Sequence, residues 1–400
     1  MKFYFFHLMP YRHLPDNFSE EHHSVWVDIP SNLLDPRKTG ELYDEYIDEL
    51  VLASTLGYDG VCVNEHHQNG YGLMPSPNII AAALARQTKD VAIVLLGDSI
   101  ALYNPPTRVA EEIAMLDCMS GGRIVAGFPV GTSMDTNYCY GQNPVTLREK
   151  YREAEELITR SWAEPEPFAF NGRYTQLRYV NIWPRPIQQP RPPIWIPGGG
   201  SVETWDWVCE RGHMYAALSF SGFKRSQKTF EEFWPVVDSY DLPRNPYRAG
   251  IIQFIGVGDS EEHAEELYAE HIEWFYNKTQ HVYGGFIDAP GYRTEKTIAG
   301  GFTTEYTDVR IIERKWAQLV DEGVIIHGSP EQVTEKLEWL VNEINLGVIM
   351  VMAHFGSMPH ELAEYNMTRI AREVIPNLRH VHSEWEDEWY PEHARRAPGA

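Results

Sequence analysis

Hydrophobic positions along the chain follow two alternating periods. Short continuous apolar runs, such as residues 91–96, are typical of strands that are buried on both faces. Longer segments between them carry apolar residues at helical spacing, such as residues 39–56, which precede the helix-ending Gly57. This alternation predicts strands that are each followed by a helix, and therefore a parallel sheet.

The pattern predicts eight strand–helix units. The predicted strands are residues 2–8, 60–63, 91–96, 123–128, 194–196, 214–220, 250–257 and 348–352. The predicted helices, in the same order, are residues 39–56, 79–86, 107–119, 145–162, 202–211, 230–240, 260–280 and 360–375. Because eight units occur with no ninth, an α/β fold closed into a (β/α)₈ TIM barrel with insertions is favoured over an open doubly wound sheet.

Length, charge and cysteine usage limit the domain organisation and the partners. A single barrel with insertions can occupy most of the 400 residues, so we expect one domain at 1–380 and a tail at 381–400. The net charge of −23 disfavours binding to nucleic acid or to an anionic membrane surface. No apolar run approaches the ~18 residues of a membrane span. The four cysteines form no CxxC pair, which is typical of a cytoplasmic protein.

Two segments are longer than a connection between elements requires. Residues 164–193 contain seven prolines and are predicted to form an ordered excursion before the fifth strand. Residues 283–305 are punctuated by glycines and contain tyrosine and phenylalanine. Loops of this length are usually functional or disordered. The aromatic content favours a lid that packs on top of a bound ligand.

Two adjacent histidines follow the second strand, at the end of the barrel where active sites lie. Neighbouring residues of a strand point to opposite faces, so His66 and His67 are poorly placed to bind one metal together, and no metal site is predicted. An imidazole at this position can exchange protons with a bound ring near neutral pH. The alternative for one of the two histidines is a structural hydrogen bond.

A glycine-rich turn follows the fifth strand and precedes a helix. Glycines let the backbone approach a ligand closely, and free amides at a helix start favour an anion. Ser201 and Thr204 add hydroxyl donors, and three consecutive glycines favour a phosphate over an ordinary turn in which Ser201 caps the helix. After the third strand, Gly97 and Asp98 mark a bend where a small residue leaves room for a flat ligand.

Four motifs, taken in order, resemble the bacterial luciferase-like flavin-dependent monooxygenases. They are residues 57–60 leading into 64–67, residues 108–117 running into 120–123, residues 193–201, and residues 328–333. The resemblance covers nearly the whole chain, from residue 2 to about residue 378. It implies a (β/α)₈ barrel, a homodimer, and FMN bound at the C-terminal face of the barrel.

The resemblance also implies roles for individual residues. His66 is similar to the family's active-site histidine beside the reactive edge of the flavin, and we expect Glu65 or Asp98 to adjust its proton transfer. The bend at Gly97 matches the place where family members often have a non-prolyl cis peptide against the isoalloxazine. The expected cofactor-binding residues are Gly97, Asp98, Val130, Tyr138, Gly198, Gly199, Gly200, Ser201 and Thr204.

One position departs from the family pattern. Luciferase has an arginine near the phosphate after the fourth strand, where this chain has Val130. Arg148, Arg185 and Arg225 are candidate replacements, and the sequence does not place any of them. The departure suits a protein that receives reduced flavin from elsewhere.

The resemblance therefore implies a two-component monooxygenase. Such an enzyme uses reduced FMN from a separate flavin reductase, together with O₂, to oxygenate a small organic substrate. No Rossmann phosphate loop follows a strand, so we do not expect the chain to reduce its own flavin from a nicotinamide. The alternatives are deazaflavin-dependent hydride transfer within the same superfamily and a non-catalytic flavin-binding protein. Candidate pocket walls near strand ends are His7, His354, Tyr138, Phe220 and Phe223.

Overall fold

A computed structural model describes residues 1–131, 134–279, 291–292 and 313–394 of the chain. The strands of this part are β1 (Lys2–Phe6), β2 (Gly60–Val63), β3 (Ala92–Leu96), β4 (Ile124–Gly127), β5 (Phe168–Asn171), β6 (Gln176–Val180), β7 (Ile194–Gly198), β8 (Met214–Ala217), β9 (Ala249–Val257), β10 (Ile325–Gly328) and β11 (Val348–Met352).

The helices surround these strands. They are α1 (Phe18–Glu21), α2 (Pro36–Leu56), α3 (Pro77–Gln87), α4 (Thr107–Ser120), α5 (Met134–Cys139), α6 (Pro144–Ala163), α7 (Val202–Arg211), α8 (Phe223–Ser239), α9 (Glu261–Trp274), α10 (Trp316–Asp321), α11 (Pro330–Glu343), α12 (His360–Arg369) and α13 (Ile375–Leu378). A π-helical turn, Phe275–Thr279, continues α9. Within the described ranges, no helix has both the length and the apolar character needed to cross a bilayer.

Eight parallel strands close into a barrel in the order β1, β2, β3, β4, β7, β8, β9 and β11. Strand β1 closes the ring, because it pairs with β2 at one edge and with β11 at the other. Every residue of β2, β3, β4, β9 and β11 is buried, as expected for strands covered by helices outside and packed side chains inside. The predicted (β/α)₈ fold is confirmed.

The prediction of only eight strand–helix units is wrong. A ninth unit is formed by β10 and α11, and β10 pairs in parallel with the second half of β9, with Ile325 opposite Phe254. Strand β8 pairs with β9 only as far as Ile251, which leaves the second half of β9 free for this pairing. The sequence carries the signal, because an apolar run precedes a capping box formed by Ser329 and Gln332.

The proline-rich excursion is ordered, as predicted. Strands β5 and β6 form an antiparallel hairpin within it, with Phe168 opposite Val180. The buried side chains of Phe170 and Val180 form a small cluster with Leu157 of α6. This cluster fastens the excursion to the outside of the barrel.

The C-terminal tail packs across the N-terminal end of the barrel. The indole of Trp195 donates to the carbonyl of Trp389 (3.3 Å), and the indole of Trp389 donates to the carbonyl of Gly212 (3.0 Å). The hydroxyl of Tyr390 donates to the carbonyl of Asp59 (2.9 Å). Because Gly212 and Asp59 precede strands, the tail closes the end opposite to the one where active sites lie in this fold.

The glycine-punctuated stretch that was predicted as a lid, residues 283–305, lies outside the described residues except for Gly291 and Tyr292.

Candidate active site

The C-terminal ends of β3 and β4 approach each other unusually closely. The peptide bond between Leu96 and Gly97 is cis, at the position that the family resemblance implied. A Cβ atom at Gly97 would lie 2.0 Å from the carbonyl oxygen of Gly127, and one at Gly127 would lie 2.0 Å from the carbonyl oxygen of Leu95. Neither position therefore accepts a side chain.

The buried carboxylate of Glu65 joins the end of β2 to the loop after β3. It accepts hydrogen bonds from the backbone amide of Ser99 (2.5 Å), the hydroxyl of Tyr103 (3.0 Å) and Nε2 of His67 (2.8 Å). Its described hydrogen bonds thus go to His67 rather than to His66. The expected role of Glu65 in adjusting the proton transfer of His66 stays a prediction.

His66 is paired with a different carboxylate. Its Nδ1 lies 3.3 Å from Oδ2 of Asp135, and the same oxygen accepts from the amide of His67 (3.3 Å) and the side chain of Asn69 (3.0 Å). When Asp135 is ionised its carboxylate can only accept, and in that state the contact places a proton on Nδ1 and leaves Nε2 available. The His66 side chain is 17% exposed, whereas Asp135 is completely buried, so the imidazole is the reachable member of the pair.

Aromatic rings surround the His66 imidazole. Trp26 and Tyr71 stack on each other with centroids 4.1 Å apart, and both meet His66 edge to face, at 5.2 and 4.7 Å. Phe275 lies beside Tyr71, at 6.1 Å. The Trp26 indole donates to the carbonyl of Thr279 (2.9 Å), which fixes the loop after β1 against the end of the π-helical turn. These rings give His66 an apolar environment.

Asp135 was not among the residues that sequence position singled out. It lies on the short helix α5, beyond the residues that immediately follow β4. The polar side chains of this helix, Asp135, Thr136 and Asn137, are nevertheless buried, and a run of polar residues directly after a strand end was the available signal. On the same helix the predicted cofactor residue Tyr138 is 55% exposed, while Val130, at the end of β4, is buried.

Asp98 is a buried carboxyl group of a different kind. Within the described residues, neither of its side-chain oxygens has a hydrogen-bond partner of good geometry. Burial first, and the carboxylates of Glu65 and Glu112 second, raise the pKa of Asp98 well above its usual value, although the nearby Asn78 amide opposes this shift. The neutral acid is therefore favoured. Asp98 faces α3 and α4, because Asn78 and Glu112 lie on these helices.

The glycine-rich turn after β7 has its hydroxyl groups beside an arginine. Nη2 of Arg148, on α6, donates to Oγ of Ser201 (2.9 Å), and Nη1 donates to Oγ1 of Thr204 (3.4 Å). The Nε atom of Arg148 is buried and has no hydrogen-bond partner among the described residues. Arg185 instead binds the carbonyl of Trp162 (2.6 Å). Of these two candidate replacements for the missing family arginine, Arg148 is therefore the one placed at the turn.

The turn itself has donors that are not used for capping. The Ser201 side chain makes no capping hydrogen bond to α7. The space around Gly199 is open, since a Cβ there would meet no atom within 4 Å. The amide of Gly200, in contrast, already donates to the hydroxyl of Tyr215 (3.1 Å), which in turn donates to the carbonyl of Gly198 (3.0 Å). The hydroxyl of Ser201 also donates, to Oε2 of Glu203 (2.8 Å), so Gly199 is the most open part of the turn.

A second carboxylate–histidine cluster lies between the barrel wall and α2. Glu49 is contacted by Nε2 of His7 (2.9 Å), Nδ1 of His354 (2.8 Å) and Nδ1 of His360 (2.9 Å). Although burial alone would raise the pKa of Glu49, the three histidines, above all His354, hold it well below its usual range. His7 and His354, predicted as pocket walls, therefore face Glu49.

This cluster has the residue types of a metal site, but the proton of the His7 ring is directed at Glu49 rather than leaving that nitrogen free for a metal. Nδ1 of His7 accepts from the amide of Met9 (2.8 Å), so the neutral ring carries its proton on Nε2, directed at Glu49. A metal ligand needs that nitrogen unprotonated and its other nitrogen donating. The arrangement favours a hydrogen-bonded network that ties α2 to β1, β11 and α12.

The family model for the luciferase-like monooxygenases matches residues 24–344. The chain belongs to this family. It is accordingly an enzyme, a flavin-dependent oxidoreductase of the luciferase-like monooxygenase type.

Individual relatives agree with this assignment. The 2,5-diketocamphane 1,2-monooxygenase 1 of Pseudomonas putida is 24% identical over 373 residues, which is 88% of this chain and 97% of that protein. The oxygenating constituent of 3,6-diketocamphane monooxygenase from Pseudomonas putida, solved with FMN, has a TM-score of 0.72 at 20% identity, covering 94% of this chain and 98% of that one. An F420-dependent secondary alcohol dehydrogenase has a TM-score of 0.64 at 16% identity, covering 94% and 99%. These structures share the barrel fold.

Proposed function

We propose that this protein is the oxygenase component of a two-component, FMN-dependent monooxygenase. It would work in the cytoplasm as a homodimer, receive reduced FMN from a separate flavin reductase, and use O₂ to oxygenate a small organic substrate. The observation that carries the proposal is the pairing of His66 with buried Asp135 at the same barrel end as the Arg148–Ser201–Thr204 site. The names of the diketocamphane relatives support the reaction class.

The residues at the barrel mouth fit FMN. Its phosphate would be held by the guanidinium of Arg148, the hydroxyls of Ser201 and Thr204, and the accessible amide of Gly199, which together provide charge and directed donors. An apolar surface for the ring is available at Leu218, which is 39% exposed directly after β8. A flat, phosphorylated cofactor matches this combination of an apolar surface with a charged set of hydrogen-bond donors.

The side chains around the ring would manage protons and exclude water. Reduced FMN, when bound, supplies the oxygen-activating chemistry. His66 would exchange a proton through Nε2, since Asp135 holds Nδ1 and fixes the orientation of the ring. Trp26 and Tyr71 would keep water away from this nitrogen. Glu65 acts as a positioning residue through Ser99 and Tyr103.

Oxygen uptake with reduced FMN tests the proposal. The wild-type protein, supplied with a flavin reductase and a panel of lipophilic ketones and phenols, should consume O₂ in a substrate-dependent way. The H66A variant should lose turnover and keep nearly all of its FMN affinity, because its role is in proton transfer. D135N should lose about 10- to 100-fold in turnover, because the charge-assisted contact to His66 is gone.

A matched control uses His380, which is also paired with a carboxylate, Glu338, but is 69% exposed away from the barrel mouth. H380A should keep wild-type turnover. Unchanged turnover in H66A would refute the role of His66. Deazaflavin-dependent hydride transfer is the second candidate, because an F420-dependent enzyme shares the fold. Substrate-dependent reduction of a deazaflavin without any O₂ uptake would replace the monooxygenase proposal by this one.

A further inference from the structure

Two residues of the glycine-punctuated segment lie directly on the helix that carries Arg148. Gly291 has a positive φ of 79°, and a Cβ there would meet Cγ2 of Val145, in the first turn of α6, at 2.8 Å. The adjacent Tyr292 is only 9% exposed. This short stretch of chain is therefore packed against the start of α6, beside the phosphate-binding turn.

The contact between Tyr292 and Arg148 is a stacked one. The guanidinium carbon of Arg148 lies 4.7 Å from the centroid of the Tyr292 ring. A guanidinium covered on one face keeps its N–H donors free in its own plane, and here they reach Ser201 (2.9 Å) and Thr204 (3.4 Å). Arg148 therefore contacts the Tyr292 ring while two of its nitrogens donate to the turn.

Without the Tyr292 ring, the Arg148 guanidinium could adopt other positions. A carboxylate oxygen of Glu203 lies 3.9 Å from its Nη2, and the solvent is close, since the Arg148 side chain is 17% exposed. Stacking holds a charged group in place and removes water from one of its faces, which strengthens its attraction for an anion.

We propose that Tyr292 is a positioning residue for the cofactor phosphate: by stacking on Arg148 it keeps the guanidinium directed at Ser201 and Thr204 and shielded from water. The inference rests on the proposed function, in which this turn holds the phosphate of FMN. It follows that Tyr292 contributes to selectivity for phosphorylated over unphosphorylated flavin.

Comparing FMN with riboflavin tests this directly, because the two flavins differ only in the phosphate. The full chain is titrated with each oxidised flavin, and binding is followed by quenching of the flavin fluorescence. Y292L should weaken FMN binding by about 3- to 30-fold and leave riboflavin binding within twofold of wild type. Y292F, which keeps the ring, should bind both flavins like wild type.

A matched control is available on the exposed surface. Tyr174 also lies beside an arginine, Arg173, with the guanidinium carbon 5.3 Å from its ring centroid, and its hydroxyl donates to Glu149 rather than contacting Arg148. Y174L should leave both affinities unchanged. A thermal melt of each variant by circular dichroism shows that it is folded.

The double variant R148Q/Y292L shows whether Tyr292 acts through Arg148. If it does, Y292L should have little further effect on FMN affinity once Arg148 is gone, so that the two losses are strongly non-additive. Fully additive losses, or an equal loss for FMN and riboflavin in Y292L, would overturn the proposal. Absence of O₂ uptake with reduced FMN bears on the proposed function alone, because the FMN-to-riboflavin ratio is measured without turnover.

Discussion

Glycines at the C-terminal end of the barrel differ sharply in whether they can be replaced by a residue with a side chain. Gly97 and Gly199 both lie at strand ends and were both predicted to contact the cofactor. Gly97 is surrounded by backbone, with the Gly127 carbonyl 2.0 Å from the place of a Cβ, whereas Gly199 has no atom within 4 Å of that place. The first glycine is required by the fold, and the second is free to serve a ligand.

This difference predicts opposite behaviour of two alanine variants. G97A should fail to fold or should unfold at much lower temperature, because backbone atoms cannot move aside. G199A should melt like wild type and lose affinity for FMN by roughly 3- to 10-fold, because a methyl group hinders close approach of the phosphate to the turn. Thermal melts and FMN titrations measure both effects. A G97A protein with wild-type stability, or a G199A protein that has lost stability, would contradict the assignment.

The hydrogen-bond partners of His66 and His67 are also a question at the scale of single residues. Strand alternation predicted that His66 and His67 point apart, and they do have different partners, Asp135 and Glu65. The sequence did not show which carboxylate belongs to which histidine, because the answer depends on where α5 lies relative to β2.

At the scale of elements, the Glu49 cluster links α2 to α12 across the ends of two strands. Its most exposed member is His360, on α12, with a side chain 23% exposed. The hydrogen bond to Glu49 raises the pKa of His360 above its usual value, with Glu364 and Glu45 adding to this effect and burial opposing it. The charged imidazolium is therefore more stable in the folded than in the unfolded chain.

This shift gives the link between α2 and α12 a defined pH dependence. A raised folded-state pKa stabilises the protein fully below the unfolded value of about 6.5, and the contribution is lost as the pH rises through the folded value. H360N should be less stable than wild type by about 1 kcal/mol at pH 5.5, and the difference should shrink by pH 8.5. Urea denaturation at both pH values measures it.

The exposed His380 again supplies the control, and H380N should match wild type at both pH values. Comparing variant with wild type at each pH cancels the contributions of histidines outside the Glu49 cluster, such as His213, whose pKa is lowered by burial. A difference between H360N and wild type that stays constant with pH would argue against an ionised His360.

At the scale of the whole molecule, the candidate active site and the packed C-terminal tail lie at opposite ends of the barrel. The candidate active site occupies the C-terminal end, and the tail with Trp389 and Tyr390 closes the N-terminal end. Trp389 is 4% exposed, and its backbone and indole bind Trp195 and Gly212. Stability and turnover should therefore respond independently to changes at the two ends.

The W389A variant tests this separation. Removing a buried tryptophan typically costs about 3–5 kcal/mol, so the unfolding midpoint should fall clearly. At temperatures where the variant stays folded, its FMN affinity and its O₂ uptake should remain at wild-type values. Chemical denaturation and oxygen-electrode measurements give the two readouts. A variant that keeps its stability and loses turnover would show that the two ends are coupled.

The sequence by itself determined the barrel and the end of it at which the candidate active site lies. Both follow from local patterns: apolar runs mark strands buried on two faces, and the residues after each run lie at one end of a parallel barrel. The prediction missed the ninth unit, β10 and α11, because the apolar run of β10 is short and follows a long connection. The strand-end residues Glu65, His66 and Ser201 were all placed correctly at the C-terminal end.

Only the tertiary structure decided which side chains act together. Asp135 reaches His66 across 69 positions of sequence, and Arg148 reaches Ser201 across 53. The arginine beside the glycine-rich turn therefore comes from α6, rather than from the end of β4 where the family pattern has its arginine. Such pairs are set by barrel closure and by the packing of helices around it, since hydrogen bonds form between groups that the fold brings within about 3 Å, whatever their separation along the chain.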